Sequence, residues 1–392
     1  MNRRALAIAA TLIVLTSNST ATSALFVAYR QQWGLTPGDI GLAFSLYVGT
    51  LVPVLLLFGG IAERYGRRTT VLVGMLCMLA GTFTLLWAHG LEELIVARLL
   101  QGIGAALAVG VISASFTEAY RGKIVAGQAL AVVTAIALSG GPVITAIAYD
   151  LGGGPNYSYL PVFVLGVAVF GLLPFFETRD ALGRSSVPAE PTFPPNVVWC
   201  GLRFAMPMVF IAWAGTSLYL SLVPAYLAAA LHASDPLIGA GAFVATQLAT
   251  VVASIRFGNV APECSGPVAP LFVVAGLTLL VVGTHANLWW LIVLATVCVG
   301  AGGGVASGAA FAVAARVGRG QRARVFSRLL VAAYLGYSLP SLLAGIIAAR
   351  TSFTIGFTAV IVALALIATA LPILRARSSA AMHSASHATA LA

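Results

Sequence analysis

Apolar runs of about 20 residues, the length that crosses a bilayer as a helix, recur twelve times in this sequence. They lie near residues 6–29, 38–60, 70–88, 92–115, 125–148 and 157–176, then near 200–231, 236–256, 268–284, 287–315, 326–349 and 353–374. In hydrocarbon every backbone polar group must be bonded inside the protein, and a helix does this within each run. The expected fold class is an all-α membrane protein with twelve transmembrane helices. Composition agrees. Hydrophobic residues make up 60% and charged residues 8%, against about 25% charged in a soluble domain. The surplus apolar surface has to face lipid.

The formal charge is +10, which in a soluble chain would suggest nucleic acid. Here the basic residues cluster in short loops. With the N-terminus inside, Arg3, Arg4, Arg64, Arg67, Arg68, Arg121, Lys123, Arg179, Arg184, Arg256, Arg316, Arg319, Arg322, Arg324, Arg375 and Arg377 all fall on the cytoplasmic side. The outer loops hold Asp39, Glu92, Glu93, Asp150 and Asp235, and only Arg30 and Arg350 break the pattern. This is the positive-inside bias. It places both termini in the cytoplasm and explains the charge without a nucleic-acid partner. Cys77, Cys200, Cys264 and Cys298 lack metal-ligand spacing, and the outer-loop residues His89, His232 and His285 stand apart, so no metal or other cofactor is expected.

Residues 198 apart correspond. Ile40-Gly41 meets Ile238-Gly239; Gly102, Gly104 and Gly110 meet Gly300, Gly302 and Gly308; Arg121-Gly122 meets Arg319-Gly320; Pro142 meets Pro340. Helix starts, a helix interior, a loop and a proline share one register, which points to two six-helix repeats. The expected organisation is an N-terminal bundle 1–176, a cytoplasmic linker 177–198, a C-terminal bundle 199–374 and an unstructured tail 375–392. The linker is polar and proline-rich, with Glu177, Arg179, Asp180, Arg184, Glu190, Pro188, Pro191, Pro194 and Pro195. Parallel repeats rocking about a central site are a transporter design. Cleavage of the N-terminus as a signal peptide would leave eleven helices and break the pairing.

The first inner loop reads Gly59-Gly60-Ile61-Ala62-Glu63-Arg64-Tyr65-Gly66-Arg67-Arg68. It resembles the major facilitator superfamily signature G-x-L-A-D-R-x-G-R-R, with Ile61 for Leu and Glu63 for Asp. Gly59 allows close helix approach, Gly66 a tight turn, and Glu63 can accept from a helix N-terminus or an arginine. The resemblance implies a cytoplasmic latch made by Gly59, Glu63, Arg64, Gly66, Arg67 and Arg68, with Arg121 and the arginines near 316–328 as partners. The corresponding loop near 259–266 lacks the signature. Arg98-Leu99-Leu100-Gln101-Gly102-Ile103-Gly104-Ala105-Ala106 is similar to the superfamily's R-x-x-Q-G-x-G-A-A motif. Arg98 sits about six residues inside a span, where a charge is costly and functional by default; snorkelling toward the interface is the alternative. The resemblance implies a role in coupling or conformational exchange. Thr296 stands at the matching place. Gly141-Pro142 matches part of the G-P-x-x-G-G element of drug–proton antiporters, with Thr145-Ala146 replacing the last glycines, and Pro142 should kink the helix.

No Asp or Glu lies in the interior of a span; Asp39, Glu92 and Glu93 stand at span ends. Coupling then runs through Arg98, through Glu63 or Asp150 at the edges, or not at all, and a strongly cationic substrate is disfavoured. Candidate substrate-binding or coupling residues are Arg98, Asn18, Gln128, Thr216, Tyr219, Gln247, Tyr334 and Tyr337. The expected protein is a monomeric, proton-coupled exporter of a small neutral or anionic molecule, in the cytoplasmic (inner) membrane of a bacterium. An importer of a sugar or organic acid, and a non-transporting receptor or scaffold, are the alternatives. Neither an ATP-binding loop nor a nucleophile–base pair supports a pump or an enzyme.

Overall fold

The computed structural model describes residues 3–58, 61–119, 126–173, 193–231, 235–258, 260–318 and 322–390. Regular structure among them is entirely helical. The first part holds α1 (Arg3–Thr20), α2 (Thr22–Trp33), α3 (Pro37–Phe58), α4 (Ile61–Tyr65), α5 (Arg67–Leu86), α6 (Leu91–Ala119) and α7 (Ala126–Ala148). A π-type turn at Tyr149–Gly153 leads to α8 (Gly154–Tyr157) and α9 (Leu160–Leu172). Then follow α10 (Pro195–Ser221), α11 (Val223–Ala230), α12 (Pro236–Phe257), α13 (Pro262–His285), α14 (Trp289–Val317), α15 (Arg322–Arg350), α16 (Phe353–Thr369) and α17 (Leu371–Ala390).

Among the described residues, 11 helical stretches are long and apolar enough to cross a membrane. The expected span 157–176 is described as α9, with 13 residues, about 20 Å at 1.5 Å per residue against a hydrocarbon core of about 30 Å. Residues 174–192, most of the expected linker, lie outside the described residues. The tail differs from expectation, because α17 continues helically to Ala390. Ala376, Ala380, Ala381, Ala385, Ala388 and Ala390 supply high helix propensity there.

Contacts divide the chain into two compact units. Unit 1 comprises Met1–Ala181, Tyr219–Gln247 and Ser341–Phe353; unit 2 comprises Leu182–Leu218, Leu248–Pro340 and Thr354–Ala392. The boundary follows contacts rather than the sequence repeat, since parts of α10, α12 and α15 group with the first six spans.

Within unit 1, α6 packs between α3 and α5, and α7 lies along α1. A Cβ on Gly104 would fall 2.5 Å from the Gly74 carbonyl oxygen, so α5 and α6 touch backbone to backbone. Within unit 2, the same relation recurs. A Cβ on Gly302 would fall 2.7 Å from the Ala269 carbonyl oxygen on α13, and Gly336 of α15 rests on the Phe210 backbone of α10. Small residues let helices approach this closely where lipid supplies no hydrophobic drive. Unit 1 contains a further crossing of this kind. A Cβ on Gly41 of α3 would lie 2.8 Å from the Ser341 carbonyl oxygen of α15, and one on Gly345 would lie 2.5 Å from that of Pro37.

Candidate functional site

The polar run of the first span creates the site in unit 1. Ser19 and Thr20 hydroxyls donate to the Thr16 carbonyl at 2.8 and 3.1 Å, and Thr20 also reaches the Ser17 carbonyl at 3.4 Å. Such back-bonding bends helices. The span stays helical through Ala21, which has φ −51° and ψ −37° and donates its amide to the Ser17 carbonyl at 3.0 Å. Helix carbonyls have a second lone pair to offer, and buried donors from two other helices use those of this span.

Arg98 of α6 is one of these donors. It is 1% exposed. Its Nη1 donates to the Ser19 carbonyl at 2.7 Å and to Gln101 Oε1 at 3.0 Å. Its guanidinium stands over the Tyr47 ring of α3, 5.4 Å from the centroid. Gln101 Nε2 in turn donates to the Asn18 carbonyl and to Thr82 Oγ1, both at 3.3 Å. The snorkelling alternative is therefore displaced: Arg98 points into the protein and ties α6 to α1, α3 and α5. Thr296 at the corresponding place donates to the Ile292 carbonyl of its own helix, at 2.8 Å.

The second donor is Thr145 of α7, whose hydroxyl bonds the Ala21 carbonyl at 2.9 Å. Two turns earlier Ser17 Oγ donates to the Ala137 carbonyl at 3.0 Å. Between them Gly141 lies on the Ser17 carbonyl, and its Cβ would also fall 2.6 Å from Thr20 Oγ1. Gly141 is thus required for close contact with the first span. Its own helix continues through Pro142, and the break comes later, at Gly152 with φ 93°. Thr145, where antiporters of the family carry glycine, adds a tie to the Ala21 carbonyl.

Asn18 is buried, and its Nδ2 donates to the Val14 and Val162 carbonyls at 2.9 and 3.0 Å. It acts here as a tie between α1 and α9. Tyr219 and Gln247 are buried in unit 1. Gln128 lies on α7, but its side chain is outside the described residues. In unit 2, Thr216 donates to the Ala212 carbonyl of its own helix at 3.3 Å. Tyr334 and Tyr337 meet Trp213 edge-on, with ring centroids 5.3 and 5.8 Å apart. Trp213 was missed by sequence reasoning, as were Tyr47 and Thr82. A tryptophan at helical spacing from Thr216 was the only available signal.

At the inner loop, Gly66 takes φ 85° and starts α5, and its carbonyl receives the Thr70 hydroxyl at 2.9 Å. Arg64 stands over the Tyr65 ring at 5.4 Å, while Arg67 is half-buried and Arg68 exposed. Glu63 lies on α4, but its side chain is outside the described residues, as are Gly59 and Arg121. Of the suggested latch partners, Arg316 pairs with Glu263 at 2.7 Å inside unit 2, and Arg328 stands over the Trp199 ring at 4.6 Å. The loop without the signature thus carries an acid–arginine tie of its own.

Residues 7–206, half of the chain, match the sequence profile of the Major Facilitator Superfamily. The chain belongs to this superfamily. Among curated relatives it is similar to the multidrug resistance protein MdtL of Shewanella sp. (strain ANA-3), 26% identical over 159 residues, covering 40% of this chain and 39% of the relative. It is also similar to MdtL of Klebsiella pneumoniae (strain 342), 32% identical over 75 residues and 19% of each chain. The 4-hydroxybenzoate transporter PcaK of Acinetobacter baylyi is 32% identical over 93 residues, 23% of this chain and 20% of that one. The matches thus span well under half of each curated relative. The superfamily fold extends over the whole chain. A bacterial homologue of the human lysosomal transporter Spinster, in an inward-facing and unoccupied conformation, aligns with TM-score 0.71 at 14% identity, covering 98% of both chains. A mutant of the nucleoside transporter NupG aligns with TM-score 0.72 at 11% identity, covering 95% of this chain and 100% of that one.

Proposed function

We propose that this superfamily member is a secondary active transporter that exports a small neutral or anionic organic molecule in exchange for protons. The observation that carries the reading is Arg98, a cation 1% exposed in an apolar helix and held by a backbone carbonyl and a neutral amide. Intramembrane charges of this kind mark transport machinery. The absence of acidic residues from the span interiors favours a neutral or anionic solute over a cationic one. Export is supported by the similarity to multidrug resistance proteins and by Gly141-Pro142. The name of the 4-hydroxybenzoate transporter favours a second reading, transport of an organic acid, which the same charge argument accommodates.

The reading includes twelve spanning helices in two bundles, both termini in the cytoplasm of a bacterial inner membrane, and a monomeric protein in the bilayer. Arg98, Gln101 and Tyr47 serve coupling. In unit 2, Trp213, Tyr334 and Tyr337 contact solute. Gly59, Glu63, Arg64, Gly66, Arg67, Arg68 and Arg121 form the inner latch. A thermal-shift screen of the purified protein against metabolites and drugs identifies solutes, because a ligand that binds the folded state stabilises it by mass action. Flux of a stabilising compound in proteoliposomes then tests the proposal. Flux that no compound in the screen supports, with binding intact, would favour the receptor alternative.

A further inference from the structure

We propose a second, peripheral site in unit 1, at the end of the molecule that faces outward in the orientation proposed above, which receives the carboxylate of a small organic acid. Arg30 at the end of α2 is one of two basic residues on that side. It lines a cavity of about 550 Å³ formed by α2, the Gly34–Pro37 connection and α11, within the size range of small-molecule sites. Its guanidinium lies over the Phe353 ring, 5.0 Å from the centroid, and Tyr226 backs that ring at 5.8 Å. Stacking occupies the face of a guanidinium and leaves its in-plane donors available. Arg30 Nε is buried and has no hydrogen-bond partner among the described residues. The acid closest in sequence, Asp39, caps the start of α3, where its Oδ2 accepts from the Thr36 amide and hydroxyl at 2.8 and 2.7 Å.

A half-buried cation, oriented by stacking and with an unsatisfied donor, matches the two oxygens of a carboxylate, which pair with guanidinium as a fork. Most of the rest of the wall is apolar, with Val27, Leu35, Ala225, Ala228 and Ala229, and Gln31 and Thr36 are its neutral polar members. That wall selects an acid with a compact apolar body over a polyanion or an inorganic ion. The site rests on the transporter reading only for which end faces outward.

Benzoate and its uncharged isostere benzamide are the probes, titrated by calorimetry into the full-length protein in nanodiscs. Benzoate should bind at least about tenfold more tightly than benzamide, the margin of a charge-assisted pair. Arg30→Gln should erase the preference, and Arg30→Lys should retain part of it. Equal affinity for the two probes, undetectable benzoate binding, or unchanged preference in Arg30→Gln overturns the proposal. Arg98→Ala separates this site from transport. Benzoate binding at Arg30 should survive it while flux is lost. Flux without an Arg30-dependent preference sinks this site alone, and an Arg30-dependent preference without any flux sinks the transport reading alone.

Discussion

Arg98 illustrates how one residue can be conspicuous in a sequence while its environment is not. A charge inside an apolar run stands out. Its acceptors do not, because the Ser19 carbonyl is a backbone group that exists at every position, and Tyr47 and Thr82 look like ordinary span residues. Asn18 was equally visible, yet its side chain joins α1 to α9 through two carbonyls, a use that polarity alone does not distinguish from solute contact. Replacing Arg98 by Met removes a buried charge but leaves Gln101 Oε1 without its donor, a loss of about 1–3 kcal/mol. Thermal unfolding should therefore show a folded, modestly destabilised protein, while gradient-driven flux disappears. Gly141→Ala places a methyl on the Ser17 carbonyl and Thr20 Oγ1, and overpacking of this kind costs about 1–3 kcal/mol; its melting temperature should fall. Thr145→Val keeps the shape and removes the hydroxyl that bonds the Ala21 carbonyl across helices and the Gly141 and Pro142 carbonyls of its own helix. Its cost should be near 0.6 kcal/mol, the average for an interhelical hydrogen bond in a membrane, so the same measurement should rank it well behind Gly141→Ala.

Among the elements, long helices were readable because twenty apolar residues in hydrocarbon have few other options. The ties between them were not. The first span runs helically through Ala21 despite the Ser and Thr side chains that back-bond ahead of it, and two of its carbonyls accept from Arg98 and Thr145. Leu222 separates α10 from α11, with Pro224 in the first turn that follows. The crossing of α3 and α15 was also hidden, since Gly41 and Gly345 gain meaning only when paired. A Cβ on Gly38 would lie 3.3 Å from that of Ala349, close to the separation a disulfide needs. In a background with the four native cysteines replaced, Gly38→Cys with Ala349→Cys should cross-link on mild oxidation, and flux should stop until a reductant is added. Mass spectrometry of the peptides checks the link, and unimpeded flux through a linked protein would show that this crossing does not open during turnover.

At the scale of the whole molecule, the charge bias and the 198-residue register are patterns that run along the entire sequence. The division into compact units was not, because contacts of 219–247 and 341–353 with the first six spans depend on how the chain is arranged in space. The same holds for α17, where a polar tail proves helical to Ala390. We propose that Arg98 couples solute movement to a proton gradient. The direct measurement is flux of a stabilising solute in proteoliposomes with and without an imposed pH gradient, in wild type and in Arg98→Lys, which keeps the charge but loses the planar fork. Wild-type flux should rise with the gradient and drive solute opposite to protons, and Arg98→Lys should bind solute while losing the gradient dependence. A wild-type flux indifferent to the gradient, or an Arg98→Lys protein that responds to it fully, would contradict the claim.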